Sequence, residues 1–238
     1  MKTAAIIPAG GSGKRMQGSL SKQYLLLNGI PILVHTLKVF QNSPMVHDIF
    51  LVVPSGDIEF VKQSIVHKYG ISKVSRVLPG GQERQDSVKN GLDAVGDDYD
   101  IVIIHDGVRP FISEELVDLA ILEATRDGAV TAGIPVKDTV KTVDQEGWIV
   151  ETLSRDRLWL TQTPQAFKRE VIKKAHMLAS HDHYYGTDDA MLVERAGIHV
   201  KMISGSYDNI KVTTKEDLLL AEGIMKKKKD LHENRFWI

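Results

Sequence analysis

The reading of the fold turns on "AAIIPAGGSGKRM" (residues 4–16). A short apolar run leads straight into a glycine-rich loop that ends in two adjacent cations. The run is shorter than the roughly 7–15 apolar residues of a signal-peptide core, and glycines and cations follow at once. It therefore reads as a first β-strand over 4–9, whose carboxyl end opens into a loop able to wrap phosphate. The chain around it has 238 residues, 42% hydrophobic and 26% charged, which suits one α/β domain over 1–238 with a sizeable core. A net charge of −1 gives no global pull toward nucleic acid or membrane, so any anion site must be local. The absence of cysteine excludes a disulfide framework and a thiolate metal site, and it fits a reducing compartment. No stretch approaches the roughly 20 apolar residues of a membrane span, and a cytoplasmic location is the default expectation.

Outward from the first strand, short Val- and Ile-rich runs alternate with helical patterns. Strands are expected at 48–54, 74–80, 100–106 and 129–136, and helices at 31–43, 57–70, 83–96 and 113–128. Gly70, Gly96 and Gly128 close three of the four helices. Strands that lack strict alternation suit a sheet covered on both faces, and repeated β-α units give parallel pairing. The expectation is an α/β fold: a Rossmann-like, mostly parallel twisted sheet with helices on both faces. Beyond Pro135 the pattern changes to a hairpin over 136–153 around "DQEG". It is either a flap on its own domain or an arm that pairs with a second subunit. Helices resume at 168–181 and 187–197, a strand follows at 199–205, and Thr213-x-x-Glu216 opens the last helix as a capping box. The charged tail over 229–238 reads as frayed.

In an open α/β sheet, ligands sit at the carboxyl ends of the strands. Three loops of unusual composition leave such ends: 8–16, "PGGQERQDS" (79–87) and "HDGVRP" (105–110). The first is not a P-loop, because Pro8 and Arg15 occupy the places of the first glycine and the hydroxyl residue. It is not a dinucleotide fingerprint either, because Met16 stands where the third glycine belongs. What remains is a flexible backbone whose N–H groups can surround anionic oxygens, with Arg15 and Lys22 at its exit. Asp106, at the end of "IVII", can serve a hydroxyl, a metal ion or the cap of the next turn, and Arg109 can pair with it or bind an anion. Lys211, before the last helix, is either a snorkelling surface residue or a cation aimed into a cleft. The run "SHDHYYGTDD" (180–189) reads as a polar loop, since no third metal ligand accompanies His181 and His183.

Taken in order, "PAGGSGKRM…SKQY", "GGQERQDSV", "HDGVRPF", "PVKDTVK", "LTQTPQAF" and "DNIKVTTKEDL" resemble the 2-C-methyl-D-erythritol 4-phosphate cytidylyltransferase family of non-mevalonate isoprenoid synthesis, over roughly residues 4–222. A related family, the ribitol-5-phosphate cytidylyltransferases, shares most of these segments, and a catalytically silent nucleotide-binding homologue is the alternative of another class. The resemblance implies that CTP and a polyol phosphate give a CDP-polyol and pyrophosphate with Mg²⁺. It implies that Arg15 and Lys22 stabilise transition-state charge and that Arg155 and Lys211 position the attacking phosphate. By the same resemblance, Pro8, Ala9, Gly10, Gly11, Gly13, Gly80, Gly81, Ser87 and Gly107 bind CTP. Asp106, Arg109, Thr139, Thr163 and Thr187 line the polyol phosphate pocket. Mg²⁺ would be held largely by the triphosphate, with Asp106 as its candidate protein ligand. The hairpin, taken as an arm over 136–160, would cross to a second subunit in a homodimer, so that each site draws on two chains. The family often carries alanine where this chain has Gly107.

Overall fold

The computed structural model describes residues 1–10 and 21–234. In chain order the elements are β1 (Thr3–Pro8), β2 (Leu26–Leu27), β3 (Ile30–Pro31), α1 (Ile32–Asn42), β4 (Asp48–Val53), α2 (Ile58–Val61), β5 (Val74–Pro79), α3 (Arg84–Ala94) and β6 (Ile101–Ile104). They continue with α4 (Glu114–Asp127), β7 (Ala129–Pro135), β8 (Lys141–Val143), β9 (Ile149–Thr152), β10 (Trp159–Lys168), α5 (Arg169–His181), α6 (Asp189–Arg195), β11 (Lys201–Ser204) and α7 (Lys215–Asn234). Seven strands form one sheet in the order β11-β7-β10-β6-β1-β4-β5. All neighbours run parallel except β10, which is antiparallel to both β6 and β7.

The alternation of side chains along each strand explains why these runs are apolar throughout. Ala5 and Ile7 of β1 face one side, where they pack with Leu33, Leu37 and Phe40 of α1 and with Val117 and Ile121 of α4. Ala4 and Ile6 face the other side, with Val88 and Leu92 of α3 and Ile172 of α5. A strand buried on both faces needs apolar residues at every position, so the mostly parallel sheet with helices on both faces follows from the sequence pattern.

Several local expectations are refined. The helix over 57–70 is broken into α2 and a π-helical turn over Lys62–His67, then closes at Gly70 with φ +64°. Gly128 caps α4 with φ +90°, whereas α3 ends at Val95 before Gly96 is reached. The capping box of α7 lies one residue later than the sequence pattern indicates. Asp217 N donates to Thr214 Oγ1 at 3.2 Å, and Thr214 N donates to Asp217 Oδ2 at 2.9 Å. Strand β10 has no counterpart among the elements expected from sequence. Pro164 and four polar neighbours hide it, and the β10–β7 register breaks between Thr161 and Gln165, where proline's missing N–H leaves no ladder bond unmade.

The hairpin forms as expected, with β8 and β9 antiparallel around a turn in which Gly147 has φ +91°. Asp144 Oδ1 accepts from Glu146 N and Trp148 N and fixes that turn. The hairpin is a separate two-stranded sheet and leaves Val143, Trp148, Ile149 and Val150 exposed.

Helix α3 approaches β1 closely at Gly91, where an added Cβ would lie 2.6 Å from Ile6 Cγ2. Ile6 is fully buried and has nowhere to move. Gly91→Val is therefore expected to destabilise the fold by about 2–3 kcal/mol through overpacking, read as a lower denaturant midpoint at an unchanged m-value.

Candidate nucleotide and acceptor site

Parallel pairing brings the three loops to one edge of the sheet. Ala9 N donates to Val52 O and Gly80 N to Val53 O, both at 2.7 Å, while Gly107 N donates to Pro8 O at 3.1 Å. The glycines allow the backbones to meet. A Cβ on Gly81 would lie 2.2 Å from Asp86 Cβ, and one on Gly80 would lie 3.1 Å from Ser87 Oγ. Ser87 Oγ in turn accepts from Gly81 N at 3.1 Å and donates to Glu83 O at 3.2 Å, so the second loop is folded onto the start of α3. A capping box between Glu83 and Asp86 begins that helix. At Gly107 a Cβ would come within 3.0 Å of both Ala9 Cβ and Leu33 Cδ1, so glycine lets the third loop pack tightly beneath the first.

Two cavities open on these loops. The first, about 410 Å³, is bounded by Pro8, Ala9, Gly10, Lys22, Gly81 and Ser87. Gln23, on the same wall, is 1% exposed, and its amide has no partner among the described residues. A buried amide left bare is costly unless a bound molecule or water completes it. The second cavity, about 280 Å³, is bounded by Arg84, Asp106, Arg109, Thr163, Thr187 and Lys211. Arg84, Asp106 and Lys211 are common to both walls.

Asp106 is the hub of the shared wall. Its backbone N donates to Thr163 Oγ1 at 3.1 Å. Arg84 Nε donates to its Oδ1 at 2.9 Å, Lys211 Nζ lies 2.9 Å from Oδ2, and Arg109 Nε lies 3.6 Å from Oδ2. Burial alone would push this carboxyl up, but Arg84, Lys211 and Arg109 outweigh it and hold the group well below the usual carboxylate range. Of the two readings of Lys211, the structure shows the inward one. Arg109 both pairs with Asp106 and donates Nη1 to Asn209 O at 2.7 Å. The arrangement does not fit Asp106 as a Mg²⁺ ligand, since cations engage both of its oxygens. No three His, Asp or Glu side chains gather as a metal cage among the described residues.

Five residues expected in the acceptor pocket (Asp106, Arg109, Thr163, Thr187 and Lys211) meet in the second cavity. Thr139 and Arg155 stay apart on the exposed hairpin and its exit, where Arg155 Nη1 donates to Lys137 O at 2.8 Å. Gly11, Gly13 and Arg15 lie outside the described residues. Sequence reasoning missed Arg84 and Asp189. Arg84 Nη1 donates to Asp189 Oδ2 at 2.7 Å, across 105 residues of chain. The only local signal was an arginine directly after the Gly80-Gly81 loop.

Two cavities at the carboxyl ends of a mostly parallel sheet, sharing a wall with Arg84 and Lys211 and with no side chain poised as a base among the described residues, suit an α/β nucleotidyltransferase, whose chemistry is charge neutralisation and alignment. Comparison with known proteins makes the assignment specific. The pattern of the 2-C-methyl-D-erythritol 4-phosphate cytidylyltransferase (IspD) family matches residues 3–227, and the chain belongs to that family. It is 53% identical over 226 residues to the 2-C-methyl-D-erythritol 4-phosphate cytidylyltransferase of Syntrophus aciditrophicus, covering 95% of this chain and 97% of the relative. It is 49% identical over 231 residues to that of Geobacter metallireducens, covering 96% and 99%. The crystal structure of 4-diphosphocytidyl-2C-methyl-D-erythritol synthase from Anaerococcus prevotii superposes with a TM-score of 0.84 at 33% identity, covering 94% of this chain and 96% of that one.

His105, fully buried behind Asp106, faces Thr163 Oγ1 through Nδ1 at 3.0 Å and Arg109 O through Nε2 at 3.2 Å. Burial pushes its pKa down from 6.5 to about 3. Between those values the unfolded chain binds the extra proton, so stability falls as pH drops below 6.5. By pH 5 this one group is expected to cost about 2 kcal/mol. His105→Gln should flatten the pH dependence of the thermal midpoint between pH 6.5 and 4.

Proposed function

We propose that the protein transfers the cytidylyl group of CTP to 2-C-methyl-D-erythritol 4-phosphate, giving 4-diphosphocytidyl-2-C-methyl-D-erythritol and pyrophosphate. The observation that carries this reading is the pair of cavities sharing one cationic wall, which suits two anionic reactants meeting end to end. In this reading the triphosphate lies on Pro8, Ala9 and Gly10 and continues onto Gly11 and Gly13, with the cytosine near Gly80, Gly81 and Ser87 and the ribose beside Gly107. The acceptor occupies the second cavity, among Asp106, Arg109, Thr163 and Thr187. One phosphate oxygen of the acceptor attacks the α-phosphorus in line. The new P–O bond forms as the bond to the β-phosphate breaks, and the electron pair leaves with pyrophosphate. The nucleophile is already an anion, so no base is required.

Lys22 and Arg15 would neutralise the charge that grows on the leaving pyrophosphate, and Lys211 and Arg155 would hold the attacking phosphate. Mg²⁺ would arrive on the triphosphate and supply further neutralisation there. Both oxygens of Asp106 are engaged by cations, which leaves that carboxylate unsuited to hold the ion. Arg155 and Thr139 reach a site only if the arm crosses to a second copy, and the exposed Trp148, Ile149 and Val150 fit such a covered surface in a homodimer. No helix among the described residues is long and apolar enough to cross a membrane, and we place the reaction in the cytoplasm.

Pyrophosphate release should occur with CTP and 2-C-methyl-D-erythritol 4-phosphate, and turnover with ribitol 5-phosphate alone would overturn the reading. Lys22→Ala should lower kcat by roughly 10²–10³, as for loss of one preorganised donor; wild-type kcat in that variant would remove Lys22 from the chemistry. Deletion of 138–153 should yield an inactive monomer by light scattering, and an active monomer would end the shared-site proposal.

A further inference from the structure

We propose that Arg84 is a positioning residue of the acceptor half of the site, acting through Asp106 and itself held in place by a buried Asp189–His176 pair. The inference rests on the cytidylyl-transfer reading above. Arg84 is the first residue of α3, directly after the glycine loop, so its backbone belongs to the nucleotide half. Its side chain belongs to the other half. Nε holds Asp106 Oδ1 at 2.9 Å, and Nη1 holds Asp189 Oδ2 at 2.7 Å.

The far anchor is built to stay fixed. Asp189 is 1% exposed, and its second oxygen faces His176 Nε2 at 3.0 Å from within α5. Its backbone N donates to Gln165 Oε1 at 3.1 Å, and the same oxygen accepts from Ala190 N. Gln165, fully buried on β10, also donates to Thr131 Oγ1 and Asp188 Oδ2. The start of α6 is thereby bolted to the sheet, and Arg84 is tied to a rigid point rather than to solvent.

The consequence for the site is electrostatic. With Oδ1 of Asp106 taken by Arg84, only Oδ2 is left for Lys211 and Arg109. Arg84, Arg109 and Lys211 face Asp106, with Asp189 behind Arg84 and Asp188 on the same cavity wall, so the charge open to an incoming phosphate depends on which cation each carboxylate holds. Without Arg84, Asp106 could turn both oxygens onto Lys211 and Arg109 and cancel the charge meant for the substrate. Arg84 Nη2 is buried and has no partner among the described residues, so the side chain is held by its bonds to the two carboxylates. Lysine cannot replace the residue, because one ammonium cannot bridge two carboxylates with the planar fork of arginine.

The test uses the full-length protein and two variants, Arg84→Lys and Asp189→Asn, with thermal midpoints and steady-state kinetics in both substrates. Arg84→Lys keeps the charge and loses the bridge. Asp189→Asn keeps the shape of the anchor and loses its charge. The expected result is a rise in KM for the polyol phosphate of about 10- to 100-fold, larger for Arg84→Lys, with KM for CTP within about threefold of wild type. Equal shifts in both KM values, or no shift in a variant that melts like wild type, would overturn the proposal. If Arg84→Lys does not fold, Asp189→Asn alone decides by the same split. Wild-type protein is run alongside: its failure to turn over CTP with the polyol phosphate counts against the reaction, whereas normal wild-type turnover without the KM split counts against Arg84.

Discussion

One carboxylate, that of Asp106, stands at the carboxyl end of a fully buried strand, where an unpaired charge would cost on the order of several kcal/mol. The fold meets that demand from three directions. Arg84 comes from the start of α3, Arg109 from the turn after β6, and Lys211 from the segment leading to α7. Each cation brings its element with it. The neutralisation of Asp106 therefore fixes where the loops lie, and it gathers the three cations on the wall of the second cavity. Stability and chemistry draw on the same contacts.

The nucleotide half rests on a different constraint, the spacing of parallel strands. Adjacent strands in a sheet lie about 4.8 Å apart, so the loops leaving β6 and β1 emerge side by side, while the loop leaving β5, one strand beyond β4, reaches them where Gly80 meets Gly10, and close approach of this kind needs small side chains. Gly10, Gly80, Gly81 and Gly107 satisfy this in different ways. At Gly81 any side chain would collide with Asp86, whereas at Gly107 the limit is packing against Ala9 and Leu33. Lys22 lines the same cavity as Gly10 and Gly81.

Much of this was legible in the sequence, for identifiable reasons. Strand β6, and strands β1 and β4 beyond their first residues, are apolar at every position because both of their faces are covered, and that pattern is local. Asp106 stood out because a charge ending such a run is unusual. Strand β10 was not legible, because Gln162, Thr163 and Gln165 turn their polar side chains inward to hydrogen bonds that a sequence does not display, and Pro164 reads as a break. The Arg84–Asp189 contact was invisible for another reason: its partners are far apart in the chain and share no spacing rule. Thr163 and Thr187 were found through family resemblance alone, and the structure explains their place by bringing β10 and the start of α6 to the same cavity.

The antiparallel strand also orders events during synthesis. Strands β1, β4, β5 and β6 can pair as soon as residue 104 has emerged, and β7 follows, but nothing joins β6 to β7 until 159–168 arrive. Until then β6 presents an open, apolar edge, the kind of surface on which nascent chains associate wrongly. Insertion of β10 closes the edge and delivers Thr163 to Asp106 in the same movement. The strand that fills the middle of the sheet is thus also the one that completes the second cavity.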